Sequence, residues 1–547
     1  MIIRAWLLAV LVFTATGCSD SNNVDRDIDA TTTNPDADPD QPMTTVDAAS
    51  LLLNYVTQNV TSIRVTSSGE GLDTSRILTR EQATSFSVPT AATQVEMELL
   101  TAEDTQIGVI IFEPAGEEMT LTLPGDGLSP AAVLDLDIVI NADVWDDEPR
   151  ILAGGLGFSG IIGVPGFTGT DAYSEQVVLE AGGTWNTLKG CGDVTPAAGM
   201  YTSAQSISTI LAAAGPPEIL YGGGMPVEFS WPVLYSTVEG SDFLITFNDY
   251  SQAYAEVAVA TPNYDYNERA VVVLFGQLGN RLLLDDPDVL YPVRIEVVDD
   301  GTPMMMVAPD GSLTSAVGLY INAPGSPYHT PGNGPRLTAA KVNVISRLGD
   351  EGPPGFDANS PNDGIALYGD EAEYRLRVFT TGGYTPDGVT GLKPSQYDNF
   401  FQVQVKTDSG EIVQLENSGT EYVIDGNVIE VIGLAELGPP GQVIDGNDCY
   451  AEDRDNQIDI ILKGDEATIK KIVGVRVPSQ QAVGERTDDG YWQFYNPGGP
   501  GNNPFPGTTY SQGSPDHTVP VTIAIDDPQM VTYIDLRSAE QAASVTD

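Results

Sequence analysis

The stretches Gln94-Val-Glu-Met-Glu-Leu99 and Ile107-Gly-Val-Ile-Ile-Phe112 decide the fold class. The first alternates apolar and polar residues, which is the two-residue period of a strand with one buried face. The second is a short apolar run rich in β-branched residues, which also favours a strand. Runs of this kind recur along the chain between turns rich in glycine and proline, as at Pro124-Gly-Asp-Gly127. The pattern predicts an all-β, multidomain chain of β-sandwich units.

Helical apolar spacing is confined to two short stretches, residues 48–59 and 204–214, which predict short helices. Shifts in composition divide the rest of the chain into predicted units. These are a β-sandwich at 46–150, a glycine-rich irregular segment at 151–200, a second β-domain at 201–340 and a C-terminal β region at 341–547. The Gly-Pro-Pro-Gly motifs at 352–355 and 438–441 are each followed by Asn-Asp and Gly-Asp-Glu-Ala, so the last region is predicted to be one unit or two repeated units.

The second β-domain contains the motifs Phe-Ser-Trp-Pro-Val at 229–233, Ser-Thr-Val at 236–238 and Asp-Phe-Leu-Ile-Thr-Phe at 242–247. Residues 225–323 therefore resemble the bacterial Ig-like domains of surface-layer proteins. The resemblance implies a spacer or interaction module without catalysis. The residues by themselves predict a half-buried antiparallel sandwich. Its predicted core residues are Phe229, Trp231, Phe243, Ile245 and Phe247.

The first residues of the chain have the charge and apolar pattern of an export signal. Arg4 precedes the apolar run Ala5–Ala15, which is too short to span a bilayer and is followed by small residues. Residues 1–17 are therefore predicted to be a signal peptide. The tetrapeptide Ala15-Thr-Gly-Cys18 resembles the lipobox of bacterial lipoproteins, although Ala15 stands where that family usually has leucine. The resemblance implies acylation of Cys18. The alternative is an ordinary signal peptide and a free secreted protein.

Residues 18–45 contain many Asp, Asn, Thr and Pro residues and have no apolar period. Such a segment buries too little surface to offset the entropy cost of ordering, so it is predicted to be a disordered, acidic tether. In the lipoprotein family, Ser19 after the cysteine is typical of outer-membrane routing. The predicted location is the outer membrane, lipid-anchored, on the periplasmic or the cell-surface side.

The formal charge of −53 excludes nucleic acid as a partner, because phosphates require a basic surface. It is typical of a surface that stays soluble in salt, or of one that binds divalent cations. The densest acidic loop predicts a calcium site. Its candidate oxygen ligands are Asp445, Asn447, Asp448, Glu452, Asp453 and Asp455. The alternative for this loop is a solvated acidic surface.

Two cysteines remain besides Cys18. Cys191 and Cys449 both lie in loops rich in glycine, asparagine and aspartate. Outside the cytoplasm such a pair is predicted to form a disulfide that joins distant parts of the chain.

Catalysis has little support in the sequence. The only histidines are His329 and His517, and the nucleophile-elbow, Walker, dinucleotide and H-E-x-x-H motifs are missing. We therefore predict a non-catalytic envelope lipoprotein that displays Ig-like β-domains for binding or scaffolding, with a glycan or a protein as its ligand. One alternative is a secreted carbohydrate-active enzyme that uses a carboxylate pair, which 77 acidic residues cannot exclude. The other is a structural subunit of an outer-membrane complex.

Overall fold

The computed structural model describes residues 41–124, 136–154, 162–169, 171–181, 204–214, 218–260, 265–279, 285–322, 337–346, 364–381, 392, 394–436, 456–478, 517–527 and 529–537. The chain divides after Gln41, and the elements below belong to the unit Pro42–Asp547. Strands outnumber helices throughout the described residues, so the predicted all-β class is confirmed.

The strands are, in chain order, β1 (Met43–Asp47), β2 (Ser62–Gly69), β3 (Leu72–Thr79), β4 (Ser85–Pro89), β5 (Gln94–Leu100), β6 (Gln106–Phe112), β7 (Glu118–Thr120), β8 (Ile138–Asp143), β9 (Ile151–Gly154), β10 (Gly223–Phe229), β11 (Phe243–Phe247), β12 (Gln252–Tyr254), β13 (Val257–Val259), β14 (Val271–Gly276), β15 (Pro292–Val297), β16 (Met305–Val307), β17 (Leu313–Ser315), β18 (Tyr320–Asn322), β19 (Leu337–Val344), β20 (Tyr374–Thr380), β21 (Gln402–Lys406), β22 (Ile412–Leu415), β23 (Glu421–Ile424), β24 (Asn427–Ala435), β25 (Gln457–Gly464), β26 (Ile472–Val477), β27 (His517–Pro520), β28 (Thr522–Ile523) and β29 (Met530–Asp535). The α-helices are α1 (Ala49–Tyr55), α2 (Ala172–Glu180), α3 (Ile207–Ala214), α4 (Gly364–Tyr368), α5 (Tyr397–Phe400) and α6 (Glu466–Ile469).

The N-terminal sandwich packs the sheet β4–β1–β7 on the six-stranded sheet β3–β2–β5–β6–β29–β8. The alternation of β5 fixes its orientation, since Val95, Met97 and Leu99 are all buried in the core between the two sheets. Strand β6 is buried on both faces, because Ile110 contributes to this core and Ile111 to the core of the next sandwich. The apolar run in β6 is therefore explained by a sheet that is covered on both sides.

Strand β1 begins earlier than the composition suggests. Residues 43–45, which the composition assigns to the tether, belong to β1 and pair with β4. Thr44 is fully buried, and its hydroxyl donates a hydrogen bond to the carbonyl of Gly116 at 2.7 Å. Threonine suits a strand as well as a tether, and only the pairing with β4 decides between the two.

The two predicted helices are present with shorter bounds, as α1 and α3. Helix α1 stops at Tyr55 because Val56 is extended. The guanidinium of Arg80 donates hydrogen bonds to the carbonyls of Leu52 and Val56, both at 2.7 Å. Arg80 thereby satisfies acceptors that a helix end leaves without an intrahelical partner.

The central sandwich packs the sheet β13–β14–β10–β9 on the sheet β12–β11–β15–β18. Its core contains the predicted residues Phe229, Trp231, Phe243, Ile245 and Phe247, each of which is buried. The predicted core is therefore confirmed.

The segment at 151–200, predicted to be irregular from its glycines, contains the strand β9 and the helix α2. Glycine serves close packing here, since a Cβ on Gly154 would lie 2.8 Å from Cδ1 of Ile295 on the facing sheet.

The C-terminal sandwich packs the six-stranded sheet β23–β24–β25–β20–β19–β28 on the sheet β22–β21–β26–β27. The last strand of the chain leaves this sandwich. Strand β29 lies between β6 and β8 of the N-terminal sheet, parallel to β6 and antiparallel to β8. Gly108 permits this pairing, because a Cβ there would overlap the carbonyl of Thr532.

Candidate functional site

A row of charged side chains crosses the C-terminal sheet on the face opposite its apolar core. Lys341 of β19 pairs with Arg377 of β20, and Arg377 pairs in turn with Asp459 of β25. Their neighbours Val342 and Val378 point to the other face and are buried in the C-terminal core. The alternation along the strands therefore places a charged row where the C-terminal sandwich meets the rest of the protein.

Arg377 is fully buried and lies among four carboxylates. Its guanidinium donates to Asp459 through Nε at 2.7 Å and through Nη2 at 3.1 Å. Asp143, Glu268 and Glu436 each place a carboxylate oxygen 3.5 Å from Arg377. Burial lowers the pKa of Arg377, but the surrounding carboxylates, Asp459 foremost, raise it well above the usual value. Arg377 therefore stays charged and holds its carboxylate neighbours together.

Asp143, at the end of β8, joins the N-terminal sheet to the charged residues of the C-terminal sheet. The ammonium of Lys341 lies 2.6 Å from its carboxylate, and Nη2 of Arg375 lies 3.0 Å from both of its oxygens. Burial raises the pKa of Asp143, but Arg375, Lys341 and Arg377 outweigh it and hold the pKa at about 2. The carboxylate is thus ionised at any physiological pH.

Lys341 is buried, and its ammonium has several contacts besides Asp143. Its ammonium donates to the carbonyls of Gln529 at 2.7 Å and Val144 at 3.2 Å, and it lies 5.4 Å from the centre of the Trp145 ring. Burial lowers the pKa of Lys341 to about 8, and the nearby Asp143 carboxylate opposes that shift. We call these residues the interface cluster. Its members are Asp143, Glu268, Lys341, Arg375, Arg377, Glu436 and Asp459.

One corner of the interface cluster has the composition of a cation site. Carboxylate oxygens of Asp265, Glu268 and Glu436 lie within 4.8 Å of one another, and all three residues are buried. Arg377 lies 3.5 Å from two of these carboxylates and supplies a positive charge where a metal ion would supply one. Calcium takes six to eight oxygen ligands, so these three carboxylates alone would not complete its shell. The arrangement suits an ion-paired interface.

Glu228 of β10 lies at the same interface but has a different environment. Its carboxyl oxygens contact Nδ2 of Asn456 at 2.8 Å and Oγ1 of Thr338 at 3.1 Å. Burial raises the pKa of Glu228 to about 8, and the two hydrogen bonds only partly oppose that shift. Glu228 is therefore a neutral acid at neutral pH, and it joins the central sandwich to the C-terminal sandwich by hydrogen bonds alone.

A second feature lies on the solvent side of the central sandwich. Outward-pointing residues of the sheet β12–β11–β15–β18 form two rows across the four strands, which we call the tyrosine face. One row is Tyr254, Leu244, Glu296 and Tyr320, and the other is Gln252, Thr246, Arg294 and Asn322. Tyr254 and Tyr320 are 55% and 52% exposed.

Polar contacts order the tyrosine face. The guanidinium of Arg294 lies 3.6 Å from the centre of the Tyr320 ring and donates to Glu296 at 3.0 Å and to Asn322 at 3.2 Å. Gln252 donates to the hydroxyl of Thr246 at 3.2 Å. The face therefore presents aromatic rings, amides and one internal ion pair with no net charge.

The sites predicted from sequence all lie outside the described residues. This holds for the lipid attachment residue Cys18, for the proposed disulfide partners Cys191 and Cys449, and for the whole calcium loop at 445–455. Glu436 and Asn456, which are described residues on either side of that loop, both lie at the interface between the central and C-terminal sandwiches.

Sequence reasoning did not find the interface cluster. The signal was present in Tyr374-Arg-Leu-Arg-Val378, where two arginines alternate with apolar residues. A solvent-facing strand has the same pattern, so the sequence gives no sign that both arginines are buried.

Comparisons with known proteins do not identify the chain. No family model and no curated protein matches it. A solved structure titled as a tetra-tandem repeat in the extending region of a large adhesion protein aligns with 77% of this chain and 72% of its own, at 10% identity and a TM-score of 0.12. A TM-score that low supports no argument about fold or function. Among the described helices, none has the length and apolar character needed to cross a bilayer.

Proposed function

We propose that this chain is a non-catalytic bacterial envelope lipoprotein whose body of β-sandwiches serves binding or scaffolding. The observation that carries the proposal is the placement of charge. Arg377 and its carboxylate neighbours are buried between the sandwiches and pair with one another there. Because they are buried, they are not accessible to a substrate. A body of joined sandwiches with a sheet face open to solvent suits a binding or display role.

The competing enzyme hypothesis needs two carboxylates that face each other across an accessible cleft. The carboxylate group formed by Asp265, Glu268 and Glu436 is buried. A cavity lined in part by Thr57 and Asn141 has a volume of about 10 Å³, which is room for a single water molecule. A larger, open depression of about 370 Å³ lies along one side of α2. Neither cavity combines a carboxylate pair with aromatic rings.

The location in this proposal rests on the N-terminal sequence. The lipobox-like Ala15-Thr-Gly-Cys18 and the acidic segment that follows it support an acylated Cys18 and a tether to the outer membrane. The Ig-like motifs at 225–323 support a display module, and the two-sheet packing of that region is the architecture such a module requires.

Replacement of Cys18 by serine tests the anchor. We expect the Cys18→Ser chain to move from the membrane fraction to the soluble fraction, because acyl chains contribute about 0.8 kcal/mol of membrane binding per buried methylene. Replacement of Ser21 by alanine, in the predicted tether, is the matched control and should leave the fractionation unchanged. Mass spectrometry of the N-terminal peptide of the wild type gives a second readout, and an unprocessed Met1 there would contradict the proposal.

A further inference from the structure

The tyrosine face combines three properties that narrow the choice of ligand. It is open to solvent, because it is the outer side of a four-stranded sheet whose inner residues Phe243, Ile245 and Val297 are buried. It holds two tyrosine rings, each more than half exposed, on its outer strands β12 and β18, and the Arg294 guanidinium covers one side of the Tyr320 ring. It is also locally neutral, since its single ion pair, Arg294 with Glu296, cancels within a chain of formal charge −53.

A third exposed tyrosine lies beside this face, in the turn between β11 and β12. Tyr250 is 88% exposed and has φ +69°, a left-handed backbone conformation that is uncommon for a bulky residue. Glycine or asparagine would occupy this turn position at lower cost. Tyr250 therefore adds a third exposed ring at the turn that joins β11 to β12.

We infer that the tyrosine face binds a neutral glycan chain. The hydrogens on the flat side of a sugar ring carry slight positive charge and pack on the negative face of an aromatic ring. The amides of Gln252 and Asn322 and the hydroxyl of Thr246 provide the donors and acceptors that sugar hydroxyl groups require. This inference deepens the proposed binding function by naming its ligand class, and it rests on that function.

The dimensions of the face favour a glycan over a protein partner. Four strands spaced about 4.8 Å apart place Tyr254 and Tyr320 roughly 14 Å from each other along one row. The two rows together cover on the order of 200 Å², whereas a stable protein interface takes about 800 Å² from each partner. A narrow, neutral platform with a ring at each end matches an extended oligosaccharide better than a folded protein.

The test is affinity electrophoresis of the full chain carrying Cys18→Ser, so that solubility does not depend on lipid. The gels contain dextran, laminarin, galactomannan or xylan as neutral polysaccharides, and alginate as an acidic one. We expect at least one neutral polysaccharide to retard the protein. Tyr254→Ala and Tyr320→Ala should each weaken that binding about two- to tenfold, since an aromatic contact contributes roughly 0.5–1.5 kcal/mol.

Matched variants separate stacking from other effects. Tyr254→Phe keeps the ring and should retain binding. Tyr173→Ala removes a tyrosine that is 62% exposed on α2 and should bind as the parent does. Absence of retardation in all four neutral gels would overturn the inference. Retardation of Tyr254→Ala and Tyr320→Ala as strong as that of the parent, or retardation by alginate alone, would also overturn it. The fractionation of the Cys18→Ser chain is independent of these outcomes, so failure here is distinguishable from failure of the proposed envelope function.

Discussion

Glu228→Gln is the substitution that best tests how the sandwiches are joined. The pKa of Glu228 is raised from 4.5 to about 8 by burial. Between these two pH values the folded protein keeps a proton on Glu228 that the unfolded chain has released. The unfolded state is then favoured by deprotonation, so the contribution of Glu228 to the stability of the wild type falls as pH rises through this window and is lowest above pH 8.

The magnitude follows from the size of the shift. One pKa unit corresponds to about 1.4 kcal/mol, so at pH 7 the cost of keeping Glu228 protonated is roughly 3 kcal/mol. Above pH 8 the cost reaches a ceiling of about 5 kcal/mol. Glutamine has nearly the same shape and does not titrate. Its oxygen can accept from Nδ2 of Asn456, and its amide nitrogen can donate to Oγ1 of Thr338, because that hydroxyl also lies 3.0 Å from the carbonyl of Phe379 and can donate there instead of to residue 228.

We therefore expect Glu228→Gln to match the wild type near pH 4.5 and to become more stable than it as pH rises toward 8. The assay is urea denaturation followed by tryptophan fluorescence at pH values from 4.5 to 9. Trp145, whose ring stacks 5.0 Å from that of Phe379, reports on this interface. Glu70→Gln, at an exposed turn between β2 and β3, is the matched control and should leave the pH profile unchanged. If the free energy of unfolding changed with pH equally in the wild type and in Glu228→Gln, the raised pKa of Glu228 would be refuted.

Three further predictions concern the rest of the molecule. Arg377→Met should lower the free energy of unfolding by about 3–5 kcal/mol, because it leaves buried carboxylates without their counterion. Lys463→Met breaks an exposed ion pair with Glu371 and should lower the free energy of unfolding by at most about 1 kcal/mol in urea denaturation. An equal loss of stability in the two variants would contradict the role of Arg377. Chelation with EDTA should lower the melting temperature if the loop at 445–455 holds calcium, and an unchanged melt would exclude a structural ion there. Peptide mapping without reductant should recover Cys191 joined to Cys449, whereas two alkylated thiols would disprove the bridge.

The sequence predicted what depends on local period and composition. The alternation in β5 and the five core residues of the central sandwich were confirmed, because a two-residue period leaves an apolar side chain only one buried face to occupy. Both short helices were predicted for the same kind of reason. The bounds of local elements were less predictable. Strand β1 begins within the stretch assigned to the tether, because its pairing with β4 brings together residues about 40 positions apart.

Contacts between distant parts of the chain were decided by the tertiary structure alone. Strand β29 lies beside β6, although more than 400 residues separate them, and no local pattern specifies that neighbour. The interface cluster depends on the same kind of contact, since Asp143 and Arg375 meet across 232 residues. A charged row on a strand has the same period whether it faces water or another sandwich. The sequence therefore determined which faces are apolar, and only the packing of the sandwiches determined that a polar face is buried.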